Sequence, residues 1–281
     1  MSLLEVTSLR REYPEFTLDN VSFSLEPGYI MGFIGRNGAG KTTTMKAMLN
    51  LIRRDGGKVT VDGLDYFENE AECKRRIGFI MGEFDCYKQS KLKTIASVAK
   101  RFYKDWDEET YRTLLKRFSL SEEKRIRELS AGMRVKFALA LAMSHNAKLL
   151  ILDEPTSGLD PVSRDDLLDV FRSIIEDGSR SILFSTHIIS DLEKCADHIT
   201  YIHNGRILLT TDVESFKAKY LLVSGDEAGL DANRDLIIGF KKNAFGFTGL
   251  IERANADRCV GIKTAPADLE SIMIYTEQNE K

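Results

Sequence analysis

The 281-residue chain carries almost no charge imbalance: 40 lysines and arginines stand against 43 aspartates and glutamates, a formal net charge of −3. Without a basic excess it is a poor match for nucleic acid, or for an anionic membrane surface, as its chief partner. Cysteine is scarce as well. Cys73, Cys86, Cys195 and Cys259 lie far apart and form no Cys-x-x-Cys pair, which argues against a disulfide framework or a thiolate metal site and predicts reduced thiols in a cytosolic protein. No apolar run approaches the ~20 residues that span a bilayer. The opening Met1-Ser2-Leu3-Leu4-Glu5 lacks the basic and apolar blocks of a signal peptide. The expectation is a soluble protein that reaches a membrane only through a partner. The chain is 43% hydrophobic and 30% charged, an ordinary globular balance, long enough for a main domain plus a small one.

Against this plain background one stretch stands out. Gly35-Arg36-Asn37-Gly38-Ala39-Gly40-Lys41-Thr42-Thr43 fits GxxxxGK[ST], with an apolar run from Tyr29 to Ile34 before it and helix-forming residues from Thr42 to Ile52 after it. Strand, glycine loop and helix are what a phosphate cradle requires. Gly35, Gly38 and Gly40 let backbone N–H groups turn inward, and the helix N-terminus offers partial positive charge to an anion. Lys41 is placed to reach the β- and γ-phosphates, and the Thr42 hydroxyl to ligate Mg²⁺. The working premise is therefore a nucleoside triphosphate site.

Ahead of this loop, Leu3 to Leu9 and Val21 to Leu25 alternate as two antiparallel strands around Tyr13-Pro14-Glu15-Phe16. An aromatic in that turn can stack on an adenine ring; Tyr13 is one candidate and Phe16 its rival. After the loop, Arg76 to Met81 reads as a strand. From Thr94 to Phe118 the apolar residues recur at helical spacing, broken at Asp105-Trp106-Asp107, which predicts a helical insertion. Ser130 sits where the N-cap of a helix from Arg134 to His145 is needed. Leu149-Leu150-Ile151-Leu152-Asp153-Glu154 is a continuous apolar run ending in two acids, as expected of a buried parallel strand presenting carboxylates at its C-terminal edge. Beside a phosphate loop, Asp153 can serve the Mg²⁺ shell and Glu154 can act as general base on the attacking water. Ser157 to Pro161 is a turn into a helix reaching about Glu176, and Ile182 to Ser185 is another buried strand. His187 follows that strand directly, at the edge where phosphate-contacting groups converge; His145, His198 and His203 read as structural. Asn204-Gly205 marks a hairpin.

Taken together in this order, the motifs resemble those of the ATP-binding subunit of ABC transporters. The resemblance covers residues 1–215 and implies an α/β P-loop NTPase of ABC type, with an antiparallel β subdomain, a helical subdomain at about 84–145, and a small C-terminal α+β extension at 216–281. It makes Gly35 to Thr43, including Asn37, Ala39 and Thr43, the Walker A loop, and Leu149 to Glu154 Walker B. Leu129 to Met133 resembles the LSGGQ signature, with Ser130, Ala131 and Gly132 contacting the nucleotide of an opposite subunit. Ser157 to Asp160 resembles the D-loop, His187 the switch histidine and Tyr13 the adenine-stacking aromatic. The implied protein is an ATPase using Mg²⁺-ATP, a head-to-tail homodimer or a heterodimer with a paralogue. It would sit at the cytoplasmic face of the cell membrane and drive separate permease subunits. The single ATPase domain and the Tyr-x-x-Trp-Asp insertion look most like exporters of the ABC-2 type that move antibiotic peptides and modulins.

Two departures accompany the likeness. Ala131 and Met133 stand where the family has glycine and glutamine. Gly82 falls where the family places a glutamine, so either Glu83 substitutes as a metal ligand or the coupling contact differs. Two other functions fit fewer residues. A regulatory subunit with little turnover conflicts with intact Lys41, Asp153, Glu154 and His187. A soluble ATPase acting on ribosomes or DNA conflicts with one nucleotide domain and no long coiled coil. Beyond Thr211 the sequence predicts a helix over Val213 to Tyr220 and strands at 221–224, 236–241 and 259–263. A final helix is expected from Ala267 to about Gln278.

Overall fold

The computed structural model describes residues 2–81 and 87–279. They divide into two compact units, Met1–Thr210 and Thr211–Lys281. The first unit opens with a long hairpin, β1 (Leu4–Tyr13) and β2 (Phe16–Leu25). Each strand runs several residues further than its alternating pattern predicts. The pattern breaks because β1 is irregular between Val6 and Arg11, around Ser8 with its positive φ of 49°; an extra residue there shifts which side chains face inward. Next come β3 (Ile30–Ile34), α1 (Lys41–Met48), β4 (Gly56–Val61), β5 (Leu64–Asp65), α2 (Glu70–Arg76) and β6 (Ile77–Met81). The helical insertion contributes α3 (Leu92–Phe102), α4 (Glu108–Arg117) and α5 (Ala131–Ser144). Then β7 (Leu149–Asp153), α6 (Pro161–Ile175), β8 (Ser181–Thr186), α7 (Ile189–Cys195), β9 (His198–His203) and β10 (Arg206–Asp212) complete the run.

Two sheets organise this unit: a four-stranded one ordered β2-β1-β4-β5 and a six-stranded one ordered β10-β9-β3-β8-β7-β6. In the larger sheet β3 pairs parallel with both β8 and β9, and β7 pairs parallel with β6 and β8. Parallel pairing sends the C-terminal ends of β3, β7 and β8 to one edge, so the loop after Ile34, the acids after Leu152 and His187 arrive on the same side. β3, β7 and β8 are buried along their whole length, which is why they read as unbroken apolar runs. α1 packs against β1, β2 and β7. The core around it joins the two sheets, with Phe23 and Phe33 at 5.3 Å.

The helical insertion is fixed by its ends. Asp107 caps α4 by accepting from the Glu109 and Thr110 amides, the residue the sequence marks as a break. Trp106 packs on Tyr111 at 5.3 Å, and Tyr103 stacks on His145 with centroids 3.8 Å apart. Among the described residues no helix is long and apolar enough to cross a membrane, and Cys73, Cys195 and Cys259 are free thiols.

The second unit holds α8 (Val213–Ala218), β11 (Tyr220–Gly225), α9 (Glu227–Ala232), β12 (Ile237–Asn243), β13 (Gly246–Glu252), β14 (Lys263–Pro266) and α10 (Leu269–Asn279). Its sheet is antiparallel, ordered β12-β13-β11-β14. The strand expected at 259–263 begins only at Lys263, after a 3₁₀ segment at Arg253–Arg258. β13 has no counterpart in the expectation; Gly246 and Gly249 interrupt its apolar pattern. In the sheet, a Cβ on Gly249 would lie 2.8 Å from the Gly239 carbonyl oxygen, so glycine permits the two strands to close up.

Candidate active site

The glycine loop is shaped by close neighbours on both sides. A Cβ on Gly35 would lie 2.5 Å from the Ile202 carbonyl oxygen, and one on Gly40 would lie 2.8 Å from Phe16 Cζ. Gly40 also holds a φ of 112° as the N-cap of α1, a conformation that side chains rarely adopt. Its carbonyl accepts from both the amide and the hydroxyl of Thr44, each at 2.8 Å. α1 has no acid in its own first turn, so no side chain of the helix itself cancels the positive end of its dipole. Lys41 is buried. Its Nζ folds back to donate to the Gly35 carbonyl at 2.7 Å and the Arg36 carbonyl at 3.3 Å.

Across from the loop, β7 ends in Asp153, buried against its neighbours. The Thr42 hydroxyl donates to Asp153 at 2.8 Å, and Ser185 Oγ donates to Oδ1 of the same carboxylate at 2.7 Å. Ser185 Oγ also accepts from the Glu154 amide at 2.9 Å. Glu154 takes a φ of 50°, the left-handed region, uncommon for a non-glycine residue and held only when its surroundings over-determine it. That turn aims its side chain back at the loop. One carboxylate oxygen lies 3.2 Å from Lys41 Nζ and the other 2.9 Å from His187 Nδ1. Glu154 is thus clasped between a buried ammonium and an imidazole.

These groups surround a cavity of about 430 Å³. Asn37, Gly38, Gly40, Lys41, Thr42, Thr43, Glu154 and His187 line it, joined by Ser157 and Phe16. Gly35, Ala39 and Asp153 are buried and support the lining residues from outside it. Tyr13 is absent from the cavity: its ring lies under the Arg11 guanidinium at 4.7 Å. The two aromatics pair at the hairpin end, and it is Phe16 that abuts the loop. Ser130, Ala131 and Gly132 are also absent from the cavity. Ser130 is exposed and caps α5 by accepting from the Met133 amide at 3.3 Å. Asp160 caps α6, accepting from Val162 and Ser163 amides at 3.1 and 3.0 Å; hydrogen bonds from Ser163 hold its carboxyl below the usual range. Gly82 and Glu83 lie outside the described residues.

Sequence reasoning did not single out Ser185. Its signal was a polar residue ending an apolar strand, meaningful only once the register sets it opposite Asp153.

A Walker-type lysine and threonine at a helix N-terminus, facing an aspartate–glutamate pair across a phosphate-sized cavity, define a P-loop nucleoside triphosphatase. Residues 18–157 match the family described as ABC transporter. The chain is 32% identical over 210 residues to the bacitracin transport ATP-binding protein BcrA of Bacillus licheniformis, covering 74% of this chain and 69% of that protein. It is 31% identical over 219 residues to the lantibiotic transport ATP-binding protein SrtF of Streptococcus pyogenes, covering 75% and 92%. A solved structure of an ATP-binding subunit of an ABC transporter superposes with a TM-score of 0.69 at 28% identity, over 77% of this chain and 92% of that one. The chain belongs to the ABC transporter family as an ATP-binding subunit, and it hydrolyses ATP to power transport.

Proposed function

We propose that two copies of this chain, or one copy and a paralogue, bind Mg²⁺-ATP between them and so drive a separate integral membrane permease from the cytoplasmic face. In this reading each nucleotide is held by Gly35 to Thr43 of one copy, with Phe16 against the base, and by Ser130, Ala131 and Gly132 of the other. Asp160 lies at their boundary. The observation that carries the proposal is the clasped Glu154, set between Lys41 and His187 at the cavity while Ser130, the exposed N-cap of α5, is absent from it. A helix N-terminus with unsatisfied amides suits a phosphate brought to it by a second molecule.

Within one site the roles follow from position. Lys41 balances phosphate charge, the loop amides orient the γ-phosphate, and Glu154 takes a proton from the attacking water. His187 holds Glu154 and the γ-phosphate side in line. Thr42 and Asp153 present a hydroxyl and a carboxylate in contact, a hard-oxygen pair. Among the described residues no cluster of three or more His, Cys, Asp or Glu could cage an ion. That donor set suits Mg²⁺, which completes its shell with phosphate and water. Bound there, the ion would neutralise charge on the β- and γ-phosphates.

The cargo in this reading is peptides, antibiotics or lipid-like compounds carried outward, and the relatives named for bacitracin and lantibiotic transport support its antibiotic part. The shared site is tested by mixing a Lys41→Ala chain with a Ser130→Arg chain. Each alone is inactive, and a mixed pair rebuilds one intact site and recovers ATPase activity. A mixture no more active than its components, with mixed pairs demonstrated by crosslinking, would contradict the shared site.

A further inference from the structure

Behind the catalytic edge lies a second polar cluster that the site above does not use. Asp191, on α7, is 1% exposed. Its Oδ1 stands 3.9 Å from Arg164 Nε, beyond hydrogen-bond reach, and the Thr156 hydroxyl lies beside it. Thr156 Oγ1, Arg164 Nε and Asp191 Oδ2 are all buried, and none has an aligned hydrogen-bond partner. Buried polar atoms are ordinarily paired. Here polar atoms from three elements meet in loose geometry: Thr156 is near enough to lower the Asp191 carboxyl, and Arg164 Nε stands at 3.9 Å.

The elements it connects give the cluster its meaning. α7 begins two residues after His187 and is rigidly seated, since Leu192 packs where a Cβ of Gly32 would stand in β3. Thr156 starts the turn that continues through Ser157 to Asp160. Arg164 donates from Nη2 to the Leu159 carbonyl at 3.4 Å and so grips the far side of that turn. The Leu159 side chain packs 3.7 Å from where a Cβ of Gly132 would sit, at the start of α5. Asp191 thus joins the helix that follows His187 to the 156–160 turn, and that turn reaches the α5 N-terminus through Leu159.

We propose that Asp191 is a positioning residue, whose carboxylate takes up Thr156 and Arg164 when the 156–160 turn seats for hydrolysis, fixing that turn relative to His187. It does not line the cavity. Burial raises its carboxyl above the ordinary range, so the charge is held at a cost to folding, and a neutral isostere should not weaken the fold.

This inference rests on the reading of His187 as a phosphate-side residue, and the experiment keeps the two apart. Asp191→Asn, Thr156→Val, their double variant and His187→Ala are compared by thermal melting, mant-ATP affinity and steady-state ATPase rate. Asp191→Asn is expected to keep or raise the melting temperature, hold mant-ATP affinity within about twofold, and lower kcat at least fivefold. The double variant should be no slower than the slower single, because the two side chains act as one contact. An unchanged kcat in Asp191→Asn, a parallel loss of stability and rate, or multiplicative losses in the double variant would each overturn the proposal. If His187→Ala also leaves kcat unchanged, the reading of His187 fails; if it alone abolishes turnover, only the role of Asp191 fails.

Discussion

Ser185→Ala separates the support of the acidic pair from the acids themselves. The wild-type hydroxyl, fully buried, donates to Asp153 at 2.7 Å and accepts from the Glu154 amide at 2.9 Å. Its removal takes one charge-assisted bond from Asp153, a loss of about 1.5–3 kcal/mol, and orphans an amide whose residue already sits in a left-handed conformation. With the orphaned amide at about 1–3 kcal/mol, the loss comes to about 2.5–6 kcal/mol. For a unit of this size each kcal/mol lowers Tm by about 2–4 °C, so a fall between about 5 and 24 °C is expected. The chemical effect should be distinct from the thermal one. With Asp153 and Glu154 no longer held to one oxygen, kcat falls at least tenfold while ATP binding, which depends on the glycine loop, persists. Ser181→Ala is the control: it lies on the same strand, equally buried, and its hydroxyl binds the Gly28 amide and Glu26 carbonyl instead. That variant should lose stability and keep kcat. Calorimetry and a coupled-enzyme phosphate assay decide. A Ser185→Ala protein with Tm within about 2 °C of wild type and normal turnover would refute the idea that Ser185 pins the two acids.

Phe16→Ala should weaken ATP binding about 5- to 150-fold, the worth of one base–aromatic stack, whereas Tyr13→Ala stays within about twofold by fluorescence titration; the reverse order would return the base to Tyr13. His145 is buried, stacked on Tyr103 and bonded at Nδ1 to the Arg75 carbonyl, and desolvation lowers its pKa. The unfolded chain therefore binds the proton that the folded chain resists. His145 contributes no pH-dependent loss above its ordinary value of about 6.5, and the fold loses stability as pH falls from there toward the depressed value. His145→Phe should flatten the decline in Tm between pH 7.5 and 5.5, and an unchanged slope would remove His145 from the acid response.

The parts of this molecule that the sequence makes legible are those governed by local rules. The glycine loop between a strand and a helix, the acid-ended run at Leu149 to Glu154, the Ser130 and Asp107 caps and the Asn204-Gly205 hairpin each depend on a few neighbouring residues. Parallel strands with both faces covered also announce themselves by composition. What remained hidden depends on pairing across the chain. Phe16 and Tyr13 are three residues apart in one turn, and only the fold decides which ring meets Gly40. Ser185 gains its role from register with Asp153. α2 buries Cys73 alone of its seven residues, so its pattern carries no apolar face to read. β13 conceals itself behind glycines that exist to let another strand approach.

The carboxylate of Glu154, set between Lys41 and His187, is proposed as the base of ATP hydrolysis. The most direct test is kcat for Glu154→Gln, measured at saturating Mg²⁺-ATP with nucleotide binding followed in the same preparation. The substitution preserves size and shape, while it replaces one acceptor oxygen by an NH2 donor and removes the charge that makes the side chain basic. Retained ATP binding and a fall in kcat of about 10²–10⁴ are expected; turnover close to wild type with binding intact would contradict the role of Glu154 as base.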